Sequence, residues 1–534
     1  MLAWDKLRRS TARYYASYQE ALKNPNSIQQ AYLKRLLRKN QHTAFGKRYR
    51  FDKINNVCDY RAHIGLNQYD DLKPYIERII QGEEKVLFDE DVLWFERTSG
   101  TTSPSKTIPY CASALDDFRS ALFTWVHDLI LHYPEIVDGH MYWSISPAAR
   151  AVETTELGIP IGSLDDSLYF GKTAAQSIGQ ILSVPAWVSQ IFSLDAWHYA
   201  TLYYLLRDEK LTLISIWSPT FLLELLAKLP NYIDQILYDI SRGEISYKAL
   251  MPYREYMELS PDRHRAEIIK SAINADGIDT SLLWPSLKLI SCWASASSFA
   301  YAQKLQSYFP TVKIQAKGLL ATEGIMTIPQ FGAPGPVMTL NSGFYEFLDS
   351  EGRTFLAEEL REGDNYSIAL TNHCGLYRYV IGDRVVVTGK HGNTPCLEFI
   401  GREGIATDVC GEKLTDAFVA PILAEIGGFA MLVPYEEGGK PYYVLYVDAA
   451  EVSEYQAAEI AKKIEEALSF NPQYCYARKL EQLSALKVVR TLAPYSTYYK
   501  RLLYQGMSLG DIKPTGLSGD KGWHKKFERV LISA

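Results

Sequence analysis

Cysteine and histidine are scarce, at seven and ten among 534 residues. The cysteines (Cys58, Cys111, Cys292, Cys374, Cys396, Cys410, Cys475) lie far apart and form no C-x-x-C pair. An odd, scattered set of this kind reads as reduced thiols, most of them small core residues. His127 and His132 stand five apart on an expected helix, so they share no face and make a poor metal pair. No apolar run approaches the roughly 18 residues of a membrane span. The opening residues lack the apolar segment of a secretory signal, so a cytoplasmic location is expected. Excess basic charge is missing too. The 56 Lys and Arg are outnumbered by 62 Asp and Glu, for a net charge of -6, which argues against a nucleic-acid or anionic-membrane partner.

What is present is the material of a large folded protein. Hydrophobic residues make up 47% and charged residues 22%, and the length exceeds what one core organises, so two or more domains are expected. Ile28, Tyr32, Leu33, Leu36 and Leu37 recur at helical spacing near the start. From about residue 90, short apolar strands (Met141–Ser146, Leu211–Trp217, Leu287–Cys292, Val312–Ile314) alternate with helices (Ser113–His132, Asp195–Leu206, Pro219–Lys228, Pro261–Ala275, Phe299–Tyr308). That alternation predicts an α/β layered domain with a largely parallel sheet. Between Pro336 and Ile400, strand follows strand across Gly and Asn turns, which predicts an antiparallel or barrel-like piece. A short α+β pattern follows Gly401.

Three segments carry chemistry. Thr98-Ser99-Gly100-Thr101-Thr102-Ser103-Pro104-Ser105-Lys106 groups hydroxyls around one glycine and ends in lysine. Its side-chain and backbone donors can wrap phosphate oxygens while Lys106 supplies charge. It is not a Walker A loop, which needs G-x-x-x-x-G-K-[ST]; a solvated Ser/Thr turn reads the same way. Thr322-Glu323-Gly324 follows an expected strand of the α/β sheet, where a carboxylate can hold Mg²⁺, or where Thr and Glu merely start a turn or helix. Asp383 is expected in a Gly-Asp turn between two strands, able to accept from a ribose diol or to bond only locally.

In order and spacing, TSGTTSPSK, LLATEG and LYRYVIGD resemble the motifs of the adenylate-forming superfamily. They are closest to its auxin-responsive promoter branch, the acyl-acid amido synthetases. Thr43–Lys47, Tyr69–Ile80 with Gly82-Glu83, Gly401-Arg402, Gly411-Glu412-Lys413-Leu414 and Gly506-Met507-Ser508 followed by Lys513 extend the resemblance to nearly the whole chain. It implies an adenylate-forming ligase fold, α/β in class. A large domain would span residues 1–400, with the barrel-like part at about 336–400, and a small mobile α+β domain residues 401–534. It implies ATP and Mg²⁺, a small carboxylic acid activated as its adenylate, and transfer to an amine or amino acid. Ser99, Gly100, Thr101, Thr102 and Lys106 would hold phosphate, Thr322 the α-phosphate, Glu323 the Mg²⁺ and Asp383 the ribose. Arg402 would lie at the pivot beside the nucleotide, and Lys513 on the developing charge at the α-phosphate.

Two departures stand out. Leu319 occupies the position that is usually an adenine-stacking ring. The Gly510-Asp511-Ile512-Lys513-Pro514 loop lacks features of the plant enzymes, which suits a bacterial-type member. A ligase passing the acyl group to coenzyme A or a thiol, and a non-catalytic binding relative, are the alternatives. The acid is not specified: Phe123, Trp125, Trp187 and Trp197 can wall a pocket, or simply fill the core.

Overall fold

The computed structural model describes residues 2–98, 106–143, 153–162, 167–257, 259–274, 277–402, 406–410, 412–436, 440–505, 507 and 512–527. Two helices open the chain, α1 (Leu2–Ala21) and α2 (Pro25–Asn40). Pro25 starts α2, where a missing N–H costs nothing, and Tyr32, Leu33, Leu36 and Leu37 form its buried face. An antiparallel hairpin, β1 (Trp94–Arg97) and β2 (Thr107–Tyr110), leads into the long helix α3 (Ala112–His132).

Strands and helices then alternate as β3 (His140–Trp143), α4 (Leu194–Arg207), β4 (Leu211–Ser215), α5 (Pro219–Lys228), α6 (Arg263–Ala272), β5 (Leu289–Cys292), α7 (Phe299–Tyr308) and β6 (Lys313–Ala316). The four strands make a parallel sheet in the order β6-β5-β4-β3. Every residue of β4 and β5 is buried, as expected when parallel crossovers lay helices over both faces of a sheet. A tight hairpin of β7 (Leu320–Ala321) and β8 (Gly324–Ile325) follows, with Thr322-Glu323 as its two-residue tip.

The next strands are β9 (Thr327–Ile328), β10 (Val337–Met338), β11 (Phe344–Leu348), β12 (Thr354–Phe355), β13 (Asn365–Thr371), β14 (Tyr379–His391) and β15 (Thr394–Arg402). They form one antiparallel sheet in the order β9-β10-β15-β14-β13-β11-β12. One expectation is corrected here. Asp383 is not in a turn between two strands but inside β14, which runs unbroken from Tyr379 to His391. Gly382, at φ 80°, absorbs an irregularity, and pairing resumes with Ser367 opposite Arg384 and Arg402 opposite Asp383. A glycine in the left-handed region permits a bulge without reversing the chain.

The C-terminal part contains α8 (Asp416–Ala424), β16 (Ala430–Tyr435), β17 (Tyr442–Asp448), α9 (Glu454–Leu468), β18 (Lys487–Thr491) and α10 (Pro494–Tyr504), with sheet order β16-β17-β18. Helix α9 begins with a capping box of Ser453 and Gln456, which satisfies two otherwise orphaned N–H groups. Strand alternation gives the small sheet two apolar faces. Leu445 and Val447 pack with Ile464 and Leu468, while Met431, Val444 and Tyr446 join the core that holds Leu226 of α5 and Leu305 of α7. The molecule is therefore α/β, with a large layered part, an antiparallel sheet within it and a small α+β part. Among the described residues no helix is long and apolar enough to cross a membrane.

Candidate active site

The hydroxyl-rich loop is the connection between β1 and β2. Its two ends are tied together: the Thr98 N–H donates to the Lys106 carbonyl (2.9 Å) and the Lys106 N–H to Thr98 Oγ1 (3.0 Å). Ser99, Gly100, Thr101 and Thr102 lie outside the described residues, whereas Lys106 is placed. Its ammonium donates to the Tyr379 hydroxyl at 2.8 Å, and that hydroxyl in turn reaches Glu323 Oε1 at 3.4 Å. The first residue of β14 thus bridges Lys106, at the end of the hydroxyl-rich loop, and the tip of the β7–β8 hairpin.

Each partner is positioned by its own element. Tyr110 of β2 donates to the Thr322 carbonyl (2.7 Å), and Asn372 Nδ2 donates to the Glu323 carbonyl (2.7 Å). Gly324 takes φ 156°, with Leu370 and Asn372 close to where a Cβ would stand. Tyr379 is held by its neighbours, since Arg378 adopts φ 47°. The Arg378 guanidinium meets Glu346 with two bonds (2.8 and 3.1 Å) and the Ile64 carbonyl with a third (2.7 Å). Arg61 adds a bond to the same carboxylate (2.7 Å). With every guanidinium nitrogen of Arg378 bonded, a buried arginine and glutamate can coexist.

Asp383 and Arg402 face each other across β14 and β15, with Nε 3.4 Å from Oδ1. Four charges converge on one place. Burial pushes the Glu323 carboxyl up, Lys106 and Arg402 oppose that push, and Asp383 adds to it. Burial likewise lowers the Lys106 ammonium against the attraction of Glu323. Burial first, and then Glu323, raises the Tyr379 phenol. A dry cluster of this kind, with carboxylates and cations interleaved, suits a polyanion carrying its own counter-ion. Among the described residues no set of three or more His, Cys, Asp or Glu could hold a metal ion. A lone carboxylate such as Glu323 is a donor of the kind that can complete the shell of a divalent cation arriving on phosphates.

The remaining predicted positions divide. Leu319 is buried in the main core and presents no ring; its N–H donates to Thr327 Oγ1. Lys513 lies in the segment after α10. Its ammonium sits 4.5 Å from the centre of the Trp293 ring, and its carbonyl accepts from the Tyr498 hydroxyl (2.7 Å). Trp197 is fully buried and Phe123 nearly so, which makes both of them core. Trp125 is as buried as Phe123 in the same core, and both border a small cavity. Sequence reasoning assigned no role to Tyr379, Arg378 or Glu346. The one available signal was an arginine set between two tyrosines at the start of a strand.

Three comparisons bear on this arrangement. Residues 15–314 match the GH3 family N-terminal domain, 336–402 the GH3 family central domain and 412–521 the GH3 family C-terminal domain. An indole-3-acetic acid-amido synthetase GH3.2 from Arabidopsis thaliana is 26% identical over 432 residues, covering 75% of this chain and 78% of its own. The solved AtGH3.15 acyl acid amido synthetase in complex with 2,4-DB shares the fold at a TM-score of 0.87 and 18% identity, over 98% of this chain and 97% of that one. A 2-hydroxyisobutyryl-CoA ligase in the postadenylation state matches more loosely, at a TM-score of 0.50 and 10% identity over 98% of this chain and 90% of its own. With three family domains in order along most of its length, the chain belongs to the GH3 family.

Proposed function

We propose that this protein is an ATP-dependent acyl-acid amido synthetase that adenylates a small carboxylic acid and passes the acyl group to an amine, in our reading an amino acid. The observation that carries this is the Lys106–Tyr379–Glu323 chain beside the Asp383–Arg402 pair. In the first step the substrate carboxylate attacks the α-phosphate of ATP and pyrophosphate leaves. In the second an amino group attacks the mixed anhydride and AMP leaves. Attack of one anion on another needs charge neutralised and reactants aligned more than it needs a protein nucleophile. Lys106 and the donors of the β1–β2 loop (Ser99, Gly100, Thr101, Thr102) meet the phosphates, Thr322 the α-phosphate, and Asp383 the ribose hydroxyls. Glu323 would hold Mg²⁺, which would supply charge neutralisation on the phosphates.

The division near residue 401 gives the small part its pivot. Gly401 has φ 148°, and a Cβ there would come 2.5 Å from Ala417 Cα of α8, so this contact requires glycine. Arg402 follows at once and touches Asp383, which couples the pivot to the nucleotide site. The test is acid-dependent ATP–pyrophosphate exchange with Mg²⁺ over a panel of acids, followed by amino acids offered to the active acid. The expected products are AMP, pyrophosphate and an amide. Stoichiometric ADP would overturn adenylation, and a product formed only with coenzyme A would move the reading to a thioester ligase.

A further inference from the structure

Strands β2 and β14 belong to different sheets, and among the described residues no strand pairing joins them. Lys106, just before β2, and Tyr379, at the start of β14, nevertheless meet, ammonium to hydroxyl. Lysine is a flexible stem that loses rotamer freedom when its head is held. A fixed contact between the two therefore needs both main chains to be held as well. The segment Asn67-Gln68-Tyr69 reaches both.

Asn67 takes the β14 side. Its N–H donates to the Arg378 carbonyl and its own carbonyl accepts from the Val380 N–H, each at 2.9 Å. It thus forms a one-residue parallel bridge beside Tyr379. Its side chain adds a third bond, from Nδ2 to the Tyr377 carbonyl (2.6 Å). Tyr69 takes the β2 side. Strand β2 is the edge of its sheet, and an edge strand turns N–H and C=O groups outward with no strand opposite. The Tyr69 hydroxyl answers both at Thr107, accepting from its N–H at 2.9 Å and donating to its carbonyl at 3.4 Å. Thr107 follows Lys106 directly. The ring of Tyr69 then walls the lysine, whose ammonium lies 5.8 Å from its centre and 5.5 Å from that of Tyr379. Between the two contacts, the Gln68 N–H donates to the Asp71 carboxylate (2.8 Å) where the helix Tyr69–Ile80 begins. A bond of this kind fixes the entry of the chain into a helix.

We infer that Tyr69 is a positioning residue for Lys106, fixing it through the main chain of Thr107 and the face of its ring. The inference rests on the amido-synthetase reading for what Lys106 does to the phosphates, but the link between residues 69 and 106 can also be read without turnover. Tyr379 receives the ammonium, and Tyr69 holds the main chain that carries it. A charge held in place beforehand needs no reorganisation as the phosphates arrive. A displacement of about 1 Å can cost about 10² in rate.

The experiment is a double-mutant cycle in the full chain with two readouts. One is kcat and KM in acid-dependent pyrophosphate exchange; the other is the Kd of ATP with Mg²⁺, measured by calorimetry without acid. Tyr69→Phe keeps the ring and loses the bonds to Thr107, whereas Tyr69→Leu loses both. The kcat/KM for ATP should fall about tenfold for Phe, the scale of a hydrogen bond or two, and about 100-fold for Leu. The KM for the acid should stay unchanged. In a Lys106→Ala background each Tyr69 substitution should move either readout less than about twofold, because the residue it positions is gone. A residue that only stabilises the fold would cost the same in both backgrounds. Equal losses in the two backgrounds, no loss in either Tyr69 variant, or a Lys106→Ala chain that behaves as wild type would overturn the assignment. Should the coupling appear in ATP binding while no acid supports exchange, the ligase reading fails and the positioning role stands. Should exchange proceed with independent losses, the reverse follows.

Discussion

Tyr379 joins two residues far apart in sequence, since its hydroxyl accepts from Lys106 and donates to Glu323. Removing that oxygen leaves the ring packed but takes a partner from a half-buried ammonium. Tyr379→Phe should lower kcat/KM for ATP in pyrophosphate exchange by about 10–100-fold, the scale of one hydrogen bond to a charged group. Its melting temperature should stay close to wild type. An unchanged kcat/KM would show that the bridge is packing alone. The contrast with Glu323 shows what sequence reveals at this scale. Glu323, Lys106 and Asp383 could be picked out because each sits in a short motif whose order along the chain is informative, and the structure brings the three together. Tyr379 shares the motif of Asp383, but its role was not legible, because that role lies in a neighbour brought in by folding, the lysine at residue 106.

At the scale of elements, the start of β14 depends on a charge clamp reaching from β11. Glu346 of β11 is buried and takes Arg378 and Arg61 together. Glu346→Ala would strand a buried guanidinium, a loss of about 3–5 kcal/mol when one partner of a buried pair is removed. Glu346→Gln keeps part of the hydrogen bonding and should cost less. Thermal unfolding should rank wild type above Gln above Ala, and an Ala variant melting with wild type would remove the clamp from the account. Periodicity found the regular elements well. Pro219–Lys228 and Phe299–Tyr308 are helices over the expected residues, because a proline start and apolar spacing mark them locally. The Gly382-Asp383 step was misread as a turn. A glycine signals an unusual φ without saying whether the chain reverses or only bulges, and that depends on strands β13 and β15 on either side.

At the scale of the molecule, the small C-terminal part rests on the layer built by α5 and α7, with Met431 and Tyr446 in a core shared with Leu226 and Leu305. The segment carrying Lys513 reaches the same layer: Ser297 Oγ donates to the Pro514 carbonyl (2.7 Å), and the Lys513 ammonium lies over Trp293, directly after β5. Trp293 in turn lies 6.0 Å from Trp217, which follows β4. The small part thus presents Lys513 at the end of the parallel sheet. In our reading this lysine serves adenylation and is withdrawn before amide transfer, as the small part turns about Gly401-Arg402. A lysine that stabilises charge developing at the α-phosphate contributes on the scale of one preorganised electrostatic group, about 10²–10³ in rate. Lys513→Ala should slow pyrophosphate exchange by that factor. Supplied with presynthesised acyl-adenylate and the amine, the same variant should form amide at a near-normal rate, because in our reading the small part has carried Lys513 away before AMP departs. Equal loss of both steps would mean that Lys513 holds the small part in place through Trp293. Loss of neither would mean that another cation faces the α-phosphate.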